Sequence, residues 1–95
     1  MSNTDLKEKI NQLASCNHNL FEKDFLLTWD KSEHDLKALA ACAEILCEMH
    51  KQKKSFRIFD TGLAVSIFRD NSTRTRFSFA SACNALGLGV TDLDE

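Results

Sequence analysis

The chain has 95 residues, of which 43% are hydrophobic and 27% charged, with a formal net charge of −2 and a sequence pI of about 5.9. This is enough apolar material for a packed core, which excludes a disordered tail, and the acidic balance argues against a nucleic-acid partner. The longest apolar stretch is broken by Glu44 and Glu48, and charged Asp5, Lys7 and Glu8 occupy the N-terminus. We therefore expect a cytoplasmic protein with no signal peptide and no membrane partner.

Two amphipathic helices are predicted in the first half of the chain. Leu6, Ile10 and Leu13 recur at helical spacing and predict a short helix that ends near residues 17–19. Residues 32–35, which read SEHD, resemble a capping box and open a longer helix. The apolar positions of this second helix predict a stripe that packs on a sheet, formed by Leu36, Leu39, Ala40, Ala43, Leu46 and Cys47.

An apolar cluster lies between these helices. It could be core or a subunit contact, and its aromatic content favours core. The cluster consists of Phe21, Phe25, Leu26, Leu27 and Trp29.

The second half of the chain predicts a strand followed directly by a helix. Residues 56–59 suggest a short extended segment, and residues 60–62, which read DTG, a turn. Residues 64–68 are short and apolar on both faces, as in a central strand of a parallel sheet. Ser72 is a favoured N-cap for the next helix, which Gly87 ends. We find no other convincing strand, although residues 91–95 stand where a second strand or a loop should begin. The apolar face of this helix is predicted from Phe79, Ala82, Cys83 and Leu86.

The start of this last helix has the chemistry of an anion site. The first N–H groups of a helix have no intrahelical partner, and its dipole favours negative charge there. Ser72 taken alone is more simply a helix cap. Arg74 and Arg76 run against the dipole preference for acids, so an anion that compensates them is the simpler explanation. A guanidinium fork also matches two phosphate oxygens at once.

Residues 68–79, which read FRDNSTRTRFSF, resemble the carbamoyl-phosphate signature of the aspartate and ornithine carbamoyltransferases. Residues 23–28 resemble that family's entry segment, and residues 85–87 resemble the end of its signature helix. Many members place Glu after the Ser-Phe pair, whereas this chain has Ala80, and residues 69–71 also differ from the usual approach to the signature. These differences resemble the YgeW-type branch, in which neither aspartate nor ornithine can be assumed as the acceptor.

The resemblance implies specific roles for the signature residues. Ser72, Thr73, Arg74 and Thr75 would bind the phosphate and carbonyl oxygen of carbamoyl phosphate, and Arg76 is a further candidate ligand. Arg74 and Thr75 would be catalytic, because Thr75 would polarise the carbonyl oxygen while Arg74 and the helix-start amides neutralise the departing phosphate. The implied reaction is attack by an amine acceptor on carbamoyl phosphate, with no cofactor, metal or covalent intermediate.

The implied architecture is an α/β fold in which residues 1–95 are part of the N-terminal carbamoyl-phosphate-binding domain. This incomplete domain would be a parallel sheet flanked by helices and helix-rich in this chain. The acceptor-binding domain is absent from residues 1–95, which we expect to be inactive alone, and the resemblance implies a homotrimer for the full-length protein.

Two alternatives stay open. The chain could be a phosphate-binding or interaction module without catalysis, or a helical scaffold in which Arg74 and Arg76 pair with acids of a partner. A His-x-x-Gln element and a second domain beyond Glu95 would favour the enzyme. No metal site is expected, because two neighbours such as Cys47 and His50 are too few ligands and the cysteines form no Cys-x-x-Cys pair.

Overall fold

The computed structural model describes residues 2–69 and 73–94 and divides into two compact units, Met1–Lys54 and Ser55–Glu95. The predicted α/β class, helix-rich with a parallel sheet, is confirmed. None of the helices within the described residues combines the length and apolarity needed to cross a membrane. Along the chain the elements are α1 (Asn3–Ala14), a 3-10 helix (Thr28–Asp30), α2 (Glu33–Lys51), β1 (Leu63–Phe68), α3 (Thr73–Leu86) and β2 (Gly89–Asp94).

Helix α1 begins at a reciprocal cap. The Ser2 hydroxyl accepts a hydrogen bond from the Asp5 N–H at 3.1 Å, and the Asp5 carboxylate accepts one from the Ser2 N–H. Leu6 is buried in the first turns. The predicted helix is confirmed, and it ends at Ala14, a few residues before the predicted stop.

Helix α2 begins where the sequence predicts but buries a different face. The Ser32 hydroxyl accepts the Asp35 N–H at 3.1 Å, which confirms Ser32 as the cap. The buried residues are Asp35, Ala38 and Ile45. The stripe that is predicted to pack on a sheet is not the face that α2 buries within its own unit, since four of its members are exposed: Leu39, Ala40, Ala43 and Cys47.

The buried carboxylate of Asp35 explains this shift of the buried face. Its Oδ1 accepts the N–H of Asn19 at 2.7 Å, so the segment after α1 closes over the Asp35 side of α2. The spacing of apolar residues in the sequence cannot identify a buried helix face that includes a charged residue such as Asp35. Helices α1 and α2 contact each other, and an ion pair between Lys9 and Glu44 links them. Packing of the predicted stripe on a sheet stays a prediction.

The aromatic cluster is exposed, so the core interpretation is wrong for this chain. Phe21, Leu26 and Trp29 are each about 80% exposed. Lys31 lies 5.6 Å from the centre of the Phe25 ring, and its ammonium donates to the Asp24 carbonyl. Only the short 3-10 helix is regular among the described residues of this connection, so its side chains share no single face that could be buried.

The second unit is a strand–helix–strand arrangement. Strands β1 and β2 pair in parallel, with Leu63 opposite Gly89 and Ser66 opposite Asp92. The expectation of only one convincing strand is therefore wrong. β2 contains Gly and Asp, which are depleted in strands, so composition hides it. Residues 56–59 form no strand, although the Phe59 N–H donates to the Leu86 carbonyl at the end of α3.

The two faces of β1 differ in exposure. Ser66 is buried and Ala64 and Phe68 are half-buried on the face toward α3, where Phe68 meets Phe79 edge to face at 6.1 Å. The opposite face carries apolar side chains that are between 45% and 64% exposed. A strand that is apolar on both faces is typical of a parallel sheet covered on both sides, as the sequence predicts. The exposed set is Leu63, Val65, Ile67 and Leu93.

Helix α3 ends at Leu86 and is stopped by Gly87, as predicted. Gly87 has a φ of 100°, its N–H donates to the Asn84 carbonyl, and the Leu88 N–H donates to the Cys83 carbonyl. This pair of hydrogen bonds is a Schellman motif, which satisfies carbonyls that the helix end leaves unpaired. The motif turns the chain directly into β2.

Candidate functional site

The structure places the signature residues at the start of α3, immediately after β1. Ser72 lies outside the described residues. Thr73, Arg74 and Thr75 form the first turn and are exposed, whereas Arg76 is half-buried. Contiguity in one helical turn therefore brings the described candidate ligands together at the positive end of a helix dipole.

The charge of this turn is unusual for a helix start. No acidic residue lies in the first turn of α3, whereas α1 has Asp5 and α2 has Glu33 and Asp35 there. Acids stabilise the first turn of a helix, and cations there oppose the dipole. In α3 two guanidiniums occupy this position, beside backbone N–H groups that have no partner from within the helix. The result is an exposed, positively charged surface of donors, suited to an anion.

The two arginines of this turn have different surroundings. Arg76 Nη1 lies 2.7 Å from Asp92 Oδ2 of β2, in an ion pair whose two side chains are 24% and 35% exposed. No residue within the described part of the chain forms an ion pair with Arg74, which is exposed. Arg74 can therefore meet a ligand, while Arg76 is held by the sheet. The intramolecular partner of Arg76 also weakens the scaffold alternative, which needs that guanidinium for a partner's acids.

The carboxylate of Asp92 makes a second contact. Its Oδ1 accepts a hydrogen bond from the hydroxyl of Ser66 at 2.8 Å, and Ser66 is 7% exposed. Ser66 and Asp92 are opposite each other in the parallel register, so both side chains point to the face that α3 covers. Arg76, Asp92 and Ser66 thus connect α3, β2 and β1, and we call them the Asp92 network.

Sequence reasoning missed Ser66 and Asp92. Ser66 is the single polar residue of the stretch 64–68, and Asp92 shares the inward side of β2 with Val90. A hydroxyl in the middle of an apolar strand needs a partner when it is buried, and this was the signal available. The partner could not be named without the register of β2.

The described residues show no group of three or more His, Cys, Asp or Glu side chains that could hold a metal ion. The cysteines are free thiols: Cys83 is buried, Cys16 and Cys42 are half-buried, and Cys47 is exposed.

Comparison with known proteins gives the family. Residues 23–95 match the model of the aspartate/ornithine carbamoyltransferase carbamoyl-P binding domain. Over 90 residues, or 95% of this chain, it is 48% identical to proteins named "Putative carbamoyltransferase YgeW" from Escherichia coli K12 and Escherichia coli O157:H7. The chain spans 23% of the length of these relatives. A family match over most of the chain, including β1, α3 and β2, shows that the chain belongs to the aspartate/ornithine carbamoyltransferase family.

Proposed function

We propose that the complete protein is a carbamoyltransferase that moves the carbamoyl group from carbamoyl phosphate to an amino-group acceptor and releases phosphate. The observation that carries this proposal is the exposed first turn of α3, which lies within the matched carbamoyl-phosphate-binding region. Carbamoyl phosphate is dianionic at its phosphate end, which suits the positive end of a helix that also presents a guanidinium.

The proposed roles follow the chemistry of each group. Arg74 binds two phosphate oxygens through its planar fork, and the amides of the first turn donate to the remaining oxygens. Ser72 and Thr73 add hydroxyl donors to the phosphate. Thr75 donates to the carbonyl oxygen and so polarises the carbon that the acceptor attacks. Arg76 is committed to Asp92 and contributes by holding the turn.

The reaction requires charge stabilisation more than proton transfer from these residues. The acceptor amine attacks the carbonyl carbon, a tetrahedral intermediate forms, and the bond between that carbon and the phosphate oxygen breaks. The leaving phosphate keeps the bonding electron pair, so Arg74 and the helix-start amides stabilise the growing negative charge. Loss of one such donor typically costs about 3 to 4 kcal/mol of transition-state stabilisation. The amine gives up its proton to a base outside residues 73–76.

The acceptor and the assembly belong to the complete protein. Because the chain spans about a quarter of its relatives, we assign acceptor binding to a second domain and activity to the full-length homotrimer rather than to residues 1–95. Neither aspartate nor ornithine is assigned as the acceptor, since Ala80 replaces the Glu that many family members have after the signature.

The substitution Arg74→Lys tests the proposal in the complete protein. Lysine keeps the positive charge but cannot form the bidentate fork, so we expect carbamoyl phosphate to bind about 10- to 100-fold more weakly, as for loss of a charged hydrogen bond. Isothermal titration calorimetry measures this, and circular dichroism checks that the variant is folded.

Ser78→Ala is the matched control, because Ser78 is an exposed residue of α3 beyond the first turn. Its affinity should stay within about twofold of the unchanged protein, as for a neutral surface substitution. Equal affinity of the Arg74→Lys protein would remove Arg74 from the site. Tight binding without transfer to any amine in a screen would instead support a phosphate-binding module.

A further inference from the structure

The Asp92 network uses one carboxylate to join three elements. Asp92 Oδ2 binds the guanidinium of Arg76 at 2.7 Å, and Asp92 Oδ1 accepts the hydroxyl of Ser66 at 2.8 Å. With both oxygens engaged by different elements, the carboxylate has a fixed orientation. Ser66 is buried, so its hydroxyl supports Asp92 from the interior of the unit.

Arg76 connects this network to the signature residues in the first turn of α3. Arg76 directly follows Thr73, Arg74 and Thr75 in the first turn of α3. Successive side chains on a helix are about 100° apart, so fixing the direction of one side chain fixes the directions of its neighbours. The observed exposure agrees, because residues 73–75 are exposed while Arg76 is turned toward the sheet. A helix start without such a link is free to fray or rotate, since first-turn N–H groups lack intrahelical partners.

We propose that Asp92 is a positioning residue for carbamoyl-phosphate binding: through Arg76 it fixes the first turn of α3 on the sheet so that the Arg74 fork and the first-turn amides face the phosphate. This inference rests on the proposed function. It assigns opposite tasks to the two arginines of the signature, with Arg74 binding the ligand and Arg76 holding the turn. It also assigns a function to a residue of β2 that lies outside the signature.

Asp92 is itself an acid close to the proposed anion site. Whether its removal strengthens or weakens carbamoyl-phosphate binding therefore distinguishes two explanations. If charge repulsion dominated, removing the carboxylate would strengthen the binding of carbamoyl phosphate. If positioning dominates, removing it weakens binding, because the ligand must then pay the ordering entropy of the turn. The proposal requires that removal of the carboxylate weakens binding.

The test measures carbamoyl-phosphate affinity by isothermal titration calorimetry on the complete protein. Asp92→Asn keeps the size of the side chain and removes the ion pair, and we expect about tenfold weaker binding, as for partners in one network. Ser66→Ala keeps the carboxylate and removes only the hydrogen bond from the Ser66 hydroxyl, so weaker binding in this variant cannot come from a change of charge. We expect it to bind carbamoyl phosphate about threefold more weakly. Asp92→Glu restores a carboxylate for Arg76 and should bind more tightly than Asp92→Asn.

Asp60→Asn is the control for net charge, because Asp60 is an exposed acid of the same unit outside the network. It should leave the affinity unchanged within about twofold. Urea unfolding of each variant identifies the conditions in which it is fully folded, and affinities are compared there. If Asp92→Asn does not fold, Ser66→Ala decides the question by itself.

The outcomes separate this inference from the proposed function. Weaker binding for Asp92→Asn and Ser66→Ala, with recovery in Asp92→Glu, supports the positioning role. Unchanged or tighter binding for Asp92→Asn, or an Asp92→Glu protein as weak as Asp92→Asn, would overturn the inference alone. Failure of the unchanged protein to bind carbamoyl phosphate would overturn both.

Discussion

Two arginines that look equivalent in the signature have different surroundings in the structure. The sequence favours an anion site around Arg74, because a cation at a helix start opposes the dipole and a compensating anion is the simpler explanation. The surroundings of Arg76 depend on Asp92, which is 16 residues away and is brought near by the pairing of β1 with β2. The local sequence pattern therefore identifies the candidate ligands. The different surroundings of Arg74 and Arg76 become visible only in the tertiary fold.

Gly87 is a residue whose replacement should be costly. Its φ of 100° disfavours any side chain, and a Cβ there would overlap the carbonyl oxygen of Phe59. We expect Gly87→Ala to lower the free energy of unfolding by about 2 kcal/mol or more, from backbone strain and the steric clash together. Urea denaturation followed by circular dichroism measures the difference.

Gly89→Ala provides the comparison for that measurement. A Cβ at Gly89 would have its nearest neighbours at 3.6 and 3.7 Å, which is ordinary contact. In a strand, alanine restricts the unfolded chain more than glycine does, so its effect should be small or stabilising. Equal destabilisation by both substitutions would show that the end of α3 is not the strained position described above.

At the scale of elements, the start of α2 should make stability depend on pH. The N–H of Asn19 donates to the carboxylate of Asp35 and lowers the pKa of Asp35 below its usual value, with a further contribution from the Ser32 hydroxyl; burial acts in the opposite direction but is outweighed. Folding therefore favours the ionised carboxylate. This stabilisation is present above the usual pKa of an aspartate and is lost as the pH falls through the lower, folded-state pKa.

The substitution Asp35→Asn should reveal that contribution. Asparagine keeps the shape and one acceptor oxygen but cannot ionise, so the variant should be less stable than the unchanged protein at neutral pH. The free energies of unfolding of the two proteins should become similar in acid, where Asp35 is protonated. Urea unfolding at a series of pH values measures the difference, and Asp30→Asn, at an exposed site in the 3-10 helix, is the control. A constant difference across the series would show that ionisation of Asp35 is not involved.

The elements also show where sequence reasoning succeeds. Helices α1, α2 and α3 and strand β1 were predictable because their periodicity and caps are local: Ser32 caps α2, and Gly87 ends α3. The sequence left residues 91–95 as the start of either a second strand or a loop, because the Gly and Asp residues of β2 resemble a loop and its stability comes from pairing with β1. The face that α2 buries differs from its apolar stripe and could not be identified from the apolar pattern, because it begins with the charged residue Asp35.

At the scale of the molecule, the described chain exposes apolar side chains at several places, two of which are sets of neighbouring residues. One is the face of β1 and β2 opposite α3, and the other is the cluster around Phe21 and Trp29. Parallel sheets are normally covered on both faces, which agrees with a chain that spans 23% of its relatives' length. The aromatic content of the cluster suggested burial, but composition cannot say which element would cover it. The sequence left core and subunit contact as alternatives for this cluster, and its exposure argues against core among the described residues.

All of the proposed roles depend on carbamoyl phosphate binding at the first turn of α3. Hydrogen–deuterium exchange of the complete protein, with and without saturating carbamoyl phosphate and read by mass spectrometry, tests it most directly. We expect the ligand to slow exchange of the amides at the start of α3, because they become its hydrogen-bond donors, and to leave the amides of α1 (Asn3–Ala14) unchanged. Saturating binding with no added protection at residues 73–76 would contradict binding at this turn.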